Sequence, residues 1–380
     1  MINILDKKNC SGCTSCANIC PYNAIKMEPD DEGFLYPKID TSVCINCGMC
    51  EKVCPIIDSN YPLVDYEETY VGYCNIYDKR MASSSGGIFY LLASTILDDS
   101  GVVFGAAFDE NFDVHHIEVS SADDLSKIMG SKYSQSRLGN TFGLVKKELL
   151  LGKKVLFSGT TCQIAGLKKY LKREYDNLLC VDFICLGIPS PKVWSDFRNE
   201  IVGDDKINFI NFKCKKYGWN NFSLQIKTSK KNYIKIGRKT PFFSAFFSGL
   251  ISRPSCSKCV FKGVNRVSDI TLSDAWGYQF FALELFDNNG LSNVVVHTKK
   301  GRNIFENIKK MMVYKNIPID YVKKYNSNYC YSAKEGIKRS LFWNEYNNKT
   351  KKNIVMKKYS DKDTFILKKV LRRIRRIFVK

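Results

Sequence analysis

Eight of the sixteen cysteines stand in the first 54 residues, in two copies of one pattern. Cys10, Cys13, Cys16 and Cys20 precede Pro21, and Cys44, Cys47, Cys50 and Cys54 precede Pro55. Each copy reads C-x2-C-x2-C-x3-C-P, and the copies lie 34 residues apart. A cubane [4Fe–4S] cluster needs four thiolates closing on one small volume. One compact C-x2-C-x2-C turn supplies three, and the last cysteine of the opposite run supplies the fourth. The assignment is therefore Cys10, Cys13, Cys16 and Cys54 for one cluster, and Cys44, Cys47, Cys50 and Cys20 for the other. Such a chain moves single electrons.

Two other uses of eight cysteines fit less well. A disulfide framework is a poor match where the first residues, Met1 to Asp6, carry no secretory pattern. Zinc sites use C-x2-C pairs and rarely this triple. The spacing is that of a bacterial-type dicluster ferredoxin module, and Leu35–Ile39 reads as a short strand covering the clusters.

A second layer of cysteines lies far downstream. Cys162 stands at a strand-to-helix turn, and Cys185 ends the next strand. Both fall at the carboxyl edge of a parallel sheet, where open α/β folds bind ligands. Cys256 and Cys259 form a lone C-x2-C, compatible with zinc, a redox dithiol or half of a cluster site. Together the four could make a third metal centre, against the ordinary use of buried cysteine as a small hydrophobe. Cys74, Cys180, Cys214 and Cys330 match no motif. The histidines, His115, His116 and His297, support no catalytic set, and the first two read as surface residues of a strand.

The elements that position these groups follow from apolar patterning. Gly101 to Phe108, Val114 to Val119, Lys153 to Gly159 and Asn177 to Ile184 read as strands. Helices are expected after Gly87, over Ala122 to Met129, Leu138 to Leu151 and Gln163 to Lys172. Strand, helix, strand in this order is a βαβ unit with a parallel sheet. Residues 205–236 read as antiparallel strands. The domain expectation is a two-cluster module at 1–57, a linker at 58–68, a mixed α/β domain in two parts at 69–150 and 151–345, and a basic tail at 346–380. The fold class is thus α+β and α/β: a dicluster ferredoxin module, a mixed α/β domain with a partly parallel sheet, and a C-terminal basic amphipathic helix.

The chain has 380 residues, 44% of them apolar, and a formal charge of +20. No apolar run approaches the roughly 18–20 residues of a spanning helix. With many cysteines and no export signal, the expected compartment is the cytoplasm, peripherally at the inner face of the membrane. That last expectation rests on the final 17 residues, which hold seven basic and no acidic side chains. Leu367, Val370, Leu371, Ile374, Ile377 and Phe378 recur there at helical spacing, opposite Lys368, Lys369, Arg372, Arg373, Arg375 and Arg376. Such a helix suits an anionic membrane surface, against the plainer reading of a solubilising tail. No groove-reading motif accompanies the charge, so no nucleic-acid partner is expected.

Five segments resemble one known family in order: Ser83–Gly87, Gly130–Ser136, Lys154–Gln163, Asp182–Pro191 and Asp269–Gly277. They are similar to the beta subunits of coenzyme F-420 (deazaflavin) hydrogenases and dehydrogenases over about residues 65–300. The resemblance implies FAD beside an iron–sulfur cluster of the domain's own, on Cys162, Cys185, Cys256 and Cys259. It implies that Ser85, Gly86, Gly87, Lys132, Tyr133, Asp274 and Trp276 surround the flavin. The chain departs from the family at Thr161, where proline is usual, at Leu186, often histidine, and at Ser273, usually glycine.

The functional expectation is an iron–sulfur flavoprotein oxidoreductase joining one-electron carriers to a two-electron substrate at FAD. A ferredoxin-like or other redox protein is the expected partner, and the deazaflavin coenzyme or another organic molecule the substrate. The alternative is a non-catalytic electron-transfer subunit wiring a partner reductase, as in a cell-surface polysaccharide pathway. No Ser/His/Asp nucleophile set is visible.

Overall fold

The computed structural model describes residues 2–59, 67–263 and 266–360. Most of the linker expected at 58–68 and the basic helix expected after residue 363 lie outside the described residues. The N-terminal module is a hairpin of Ile25–Pro29 against Leu35–Ile39, with short helices Ser15–Ile19 and Met49–Lys52.

The main domain is built on an eight-stranded mixed sheet. Its order is Met312–Asn316, Glu68–Cys74, Ser292–Val296, Ile270–Asp274, Leu178–Phe183, Val155–Ser158, Val102–Phe108, Val114–Val119. The four strands from Ile270–Asp274 to Val102–Phe108 are mutually parallel. Antiparallel strands flank them on both sides. The parallel strands are apolar on both faces because both faces are covered. Leu156, Leu179 and Val181 pack with Leu91, Leu92 and Ile96 of the helix Ile88–Asp98 on one face. Val155, Phe157 and Leu178 pack with Phe142, Val145, Ile164 and Leu167 on the other. Successive residues thus serve opposite layers, as the strand period requires.

A second layer is aromatic. The three-stranded antiparallel sheet Ile207–Cys214, Ser223–Thr228, Asn232–Ile236 shares a core with helices Pro191–Val202 and Pro241–Phe247. Trp194, Phe197, Phe212, Phe242 and Phe243 meet there. Phe342, Trp343, Tyr346, Val355 and Met356 join this core from helices Arg339–Asn348 and Lys352–Tyr359. Residues 346–360, expected as the start of a tail, therefore belong to the globular part, because their apolar face is buried. Among the described residues, no helix is long and apolar enough to cross a membrane.

The cluster module is docked on the main domain by specific pairs. Ser15 Oγ donates to the Gly166 carbonyl at 2.9 Å, and Asn18 Nδ2 to the Gly139 carbonyl at 2.8 Å. Arg339 forks onto the Glu32 carboxylate. The Leu35 amide donates to Gln135 Oε1 at 3.0 Å.

Candidate functional site

One cavity of about 1880 Å³ opens at the carboxyl ends of the parallel strands. That exceeds the roughly 300–1,000 Å³ of an ordinary small-molecule site. It is lined by the turns after Val155–Ser158 and Leu178–Phe183, by Asp274 and Trp276 after Ile270–Asp274, and by the cluster-module loop Lys8, Asn9, Ser11, Gly12. This is the crevice that open α/β sheets offer to ligands.

Cys162, Cys185, Cys256 and Cys259 all line it, although they are spread over nearly a hundred residues. Cys162 enters on the first turn of helix Thr161–Leu171, whose start is fixed by Gln163 Oε1 accepting from the Thr160 amide at 2.9 Å. Burial pushes the Cys162 thiol up to about 12, and the charges of Cys259 and Cys185 add to that. Burial and the neighbouring Cys185, Cys162 and Cys259 likewise push Cys256 up. Burial also raises Cys185, opposed by the Lys262 charge. Thiols that disfavour one another's ionisation at close quarters are a donor set that cations relieve, with proton release on binding.

The N-terminal thiols lie close to one another. Burial raises Cys13 and Cys16, the latter to about 12, and both feel the charges of Cys10 and Cys54. Cys54 in turn feels Cys10 of the first run and Cys50 of its own. Cys47 is the exposed member of the second run. Among the described residues, no three His, Cys, Asp or Glu side chains converge on the position of a single ion. A cubane asks for something else, since its four thiolates bind four different irons.

Of the residues expected around a flavin, Ser85, Gly87, Lys132, Tyr133, Asp274 and Trp276 line the cavity. Gly86 does not. It lies behind the wall, its amide donating to Ser292 Oγ at 2.9 Å. Lys132 Nζ donates to the carbonyls of Met129 at 2.8 Å and Lys127 at 3.1 Å, and burial lowers its pKa to about 7. Tyr133 packs edge-on against Phe243 at 4.9 Å and Phe212 at 5.6 Å. Asp274 is held by Lys213 Nζ and by Trp219 Nε1 at 3.0 Å. Trp276 stacks on Trp219 with centroids 4.8 Å apart and planes 8° from parallel.

Several site residues carried no sequence signal. Lys213 is buried beside Asp274: burial pulls its ammonium down, but the Asp274 and Tyr133 charges and the hydrogen bond to Asp274 together hold it above its ordinary value. His116, expected at the surface, is buried and stacked on Phe157. Its Nε2 lies 3.0 Å from the Ser158 carbonyl and its Nδ1 2.7 Å from Ser136 Oγ. A carbonyl only accepts, so Nε2 carries the proton and Nδ1 accepts from the serine. Burial lowers the His116 pKa to about 4, and the neutral ring braces the turn that leads to Cys162. Thr161 explains one departure: its hydroxyl donates to Asp182, which Arg266 pairs at 2.7 Å, whereas proline has no donor to offer.

Parts of the chain are similar to known proteins. Residues 152–322 match the family model described as the C terminus of the coenzyme F420 hydrogenase/dehydrogenase beta subunit. Residues 9–56 match a 4Fe-4S dicluster domain. The chain is 30% identical over 174 residues to the coenzyme F420-dependent sulfite reductase of Methanocaldococcus jannaschii, covering 44% of this chain and 26% of that protein. It is 23% identical over 136 residues to one of the subunits of the F(420)H(2) dehydrogenase of Methanosarcina mazei, covering 33% of this chain and 38% of that one. It therefore spans well under half the length of these relatives. A chain of the F420-reducing [NiFe] hydrogenase complex from Methanosarcina barkeri aligns with a TM-score of 0.44 at 16% identity, over 76% of this chain and 91% of that one. Residues 9–56 are thus similar to 4Fe-4S dicluster domains, and residues 152–322 to the C terminus of coenzyme F420 hydrogenase/dehydrogenase beta subunits.

Proposed function

We propose that the chain is an iron–sulfur flavoprotein oxidoreductase, with three [4Fe–4S] clusters and FAD, joining one-electron carriers to a two-electron organic substrate. The observation that carries the reading is the single cavity shared by Cys162, Cys185, Cys256, Cys259 and the loop after Lys8. The residues fit the groups. Four cysteines form the donor set of a cubane. Ser11 Oγ and Ser134 Oγ are buried in the cavity wall without a hydrogen-bond partner among the described residues, as atoms awaiting a ligand would be. When bound, the clusters carry single electrons and FAD exchanges them for a hydride.

This chain's own side chains do the rest. Ser85, Gly87, Lys132, Tyr133 and Trp276 would hold the flavin, and Lys132, Lys213 and Lys262 would offset anionic charge. Trp219 and Asp274 fix Lys213 and Trp276 in place. The aromatic wall around Tyr133 excludes water from one side. The deazaflavin coenzyme named for the relatives is one substrate that this basic cavity suits. The domain scheme retains 1–57 as the cluster module, and the cytoplasm as compartment.

Anaerobic purification tests the reading. About 12 iron atoms and one FAD per chain are expected. Zinc without flavin would sink it. Steady turnover with a reduced viologen and a candidate acceptor separates an enzyme from a subunit that only wires a partner reductase.

A further inference from the structure

Arg253 is 2% exposed, and among the described residues no carboxylate pairs with it. A buried, unpaired cation costs several kcal/mol, so a counter-charge is needed. Its surroundings say where that charge is. Its Nε donates to the Cys10 carbonyl at 2.8 Å, and its Nη2 lies 3.5 Å from Cys10 Sγ. Its Nη1 lies 3.4 Å from Gln135 Oε1, and the guanidinium sits 4.1 Å from the Tyr36 ring centre. Its own carbonyl accepts from the Cys256 amide at 3.0 Å. Gly12 makes the approach possible, since a Cβ there, at a φ of +71°, would lie 2.9 Å from the guanidinium carbon.

One side chain therefore grips a ligand of the first N-terminal run while its backbone holds the loop of Cys256. None of the eight N-terminal cysteines lines the cavity, but Asn9, Ser11 and Gly12, on either side of Cys10, do, and no residue next to Cys44, Cys47 or Cys50 does.

We propose that Arg253 is a positioning residue shared by two centres, the one ligated by Cys10 and the one built on Cys162, Cys185, Cys256 and Cys259. It makes the Cys10 centre the neighbour of the cavity and raises the reduction potential of both. Reduction adds one electron to a cluster already anionic through its thiolates, so a fixed cation stabilises the reduced form more than the oxidised form. The Cys44 centre lies outside this influence. The inference rests on the three-cluster reading for its second half alone.

The test is a dithionite titration of the full-length protein, followed by electron paramagnetic resonance, in wild type, Arg253→Lys and Arg253→Met. In Arg253→Met, two of three midpoints should fall, each by about a tenfold change in the reduction equilibrium, which is about 59 mV for one electron. The remaining midpoint should stay, and the iron content should be unchanged. Arg253→Lys keeps the charge and should restore most of the shift. Three midpoints unmoved in Arg253→Met, or a fall in Arg253→Lys as deep as in Arg253→Met, would overturn the proposal. Should Arg253→Met not hold iron, Arg253→Gln replaces it, with the same two outcomes. If wild type binds only about eight irons, the third-cluster reading fails by itself, and one of two midpoints should still move.

Discussion

Gly166 leaves the space that Cys13 occupies. A Cβ built on Gly166 would lie 2.9 Å from both Cβ and Sγ of Cys13. The helix Thr161–Leu171 carries Cys162 at its start and meets the cluster module at this glycine. One helix therefore sets the distance between the module and the cavity. Gly166→Ala should gain about 1 kcal/mol of helix propensity, yet overpacking costs about 1–3 kcal/mol. A net loss of thermal stability is expected, with perturbed resonance signals from the Cys13 centre. An unchanged or higher melting temperature would contradict this packing.

Cys256→Ala should lower bound iron by about four atoms while the signals of the two N-terminal centres persist. Iron analysis on anaerobically purified protein reads the outcome. Unchanged iron removes Cys256 from the ligand set.

Lys132 gives a pH prediction. Its folded pKa is lowered to about 7, so the ammonium is charged below that pH and neutral above it. An anionic flavin should be held more tightly at pH 6 than at pH 8.5. The difference should be about tenfold, the weight of one charge-assisted hydrogen bond. Equilibrium dialysis against FAD measures it, and Lys132→Met should flatten the profile at the weaker level.

The buried histidines predict acid sensitivity. His116 and His297 have pKa values lowered to about 4 by burial. Between that value and about 6.5 the unfolded chain binds the extra protons. Stability therefore rises with pH across this window and is lost as pH falls through it. Each histidine should account for a loss on the order of 3 kcal/mol by pH 4. His116→Gln should unfold at a less pH-dependent denaturant midpoint between pH 4 and 6.5. It should also cost about 1–3 kcal/mol at neutral pH, since the Ser158 carbonyl and Ser136 lose their partner.

The basic C-terminal segment lies outside the described residues, so its role rests on sequence. Deleting residues 364–380 should release the protein from vesicles rich in anionic lipid in a flotation assay. Absence of binding by the full chain ends the membrane proposal.

The sequence by itself determined the parts whose signals are local. The two cysteine runs name their chemistry because a cubane needs thiolates at that spacing within one turn. The strand Val114–Val119 and the turn at Cys162 were legible because apolar alternation and short connections are written in consecutive residues. The five-segment family resemblance also placed Lys132, Tyr133, Asp274 and Trp276 near one site.

Tertiary structure decided what depends on distant residues meeting. The sequence grouped Cys162, Cys185, Cys256 and Cys259, but only packing brings the turns at the parallel-strand ends and the segment Pro254–Lys258 around one cavity. Lys213 became Asp274's partner, and His116 moved from surface to interior, because burial is set by what packs opposite and not by neighbours in the chain. Gly86 shows the converse, since a motif residue can lie behind the wall its neighbours build. Nothing in the segment around Arg253 announces that its guanidinium reaches Cys10, 243 positions away. That contact exists because two domains dock, and docking is a property of surfaces that no single stretch of sequence contains.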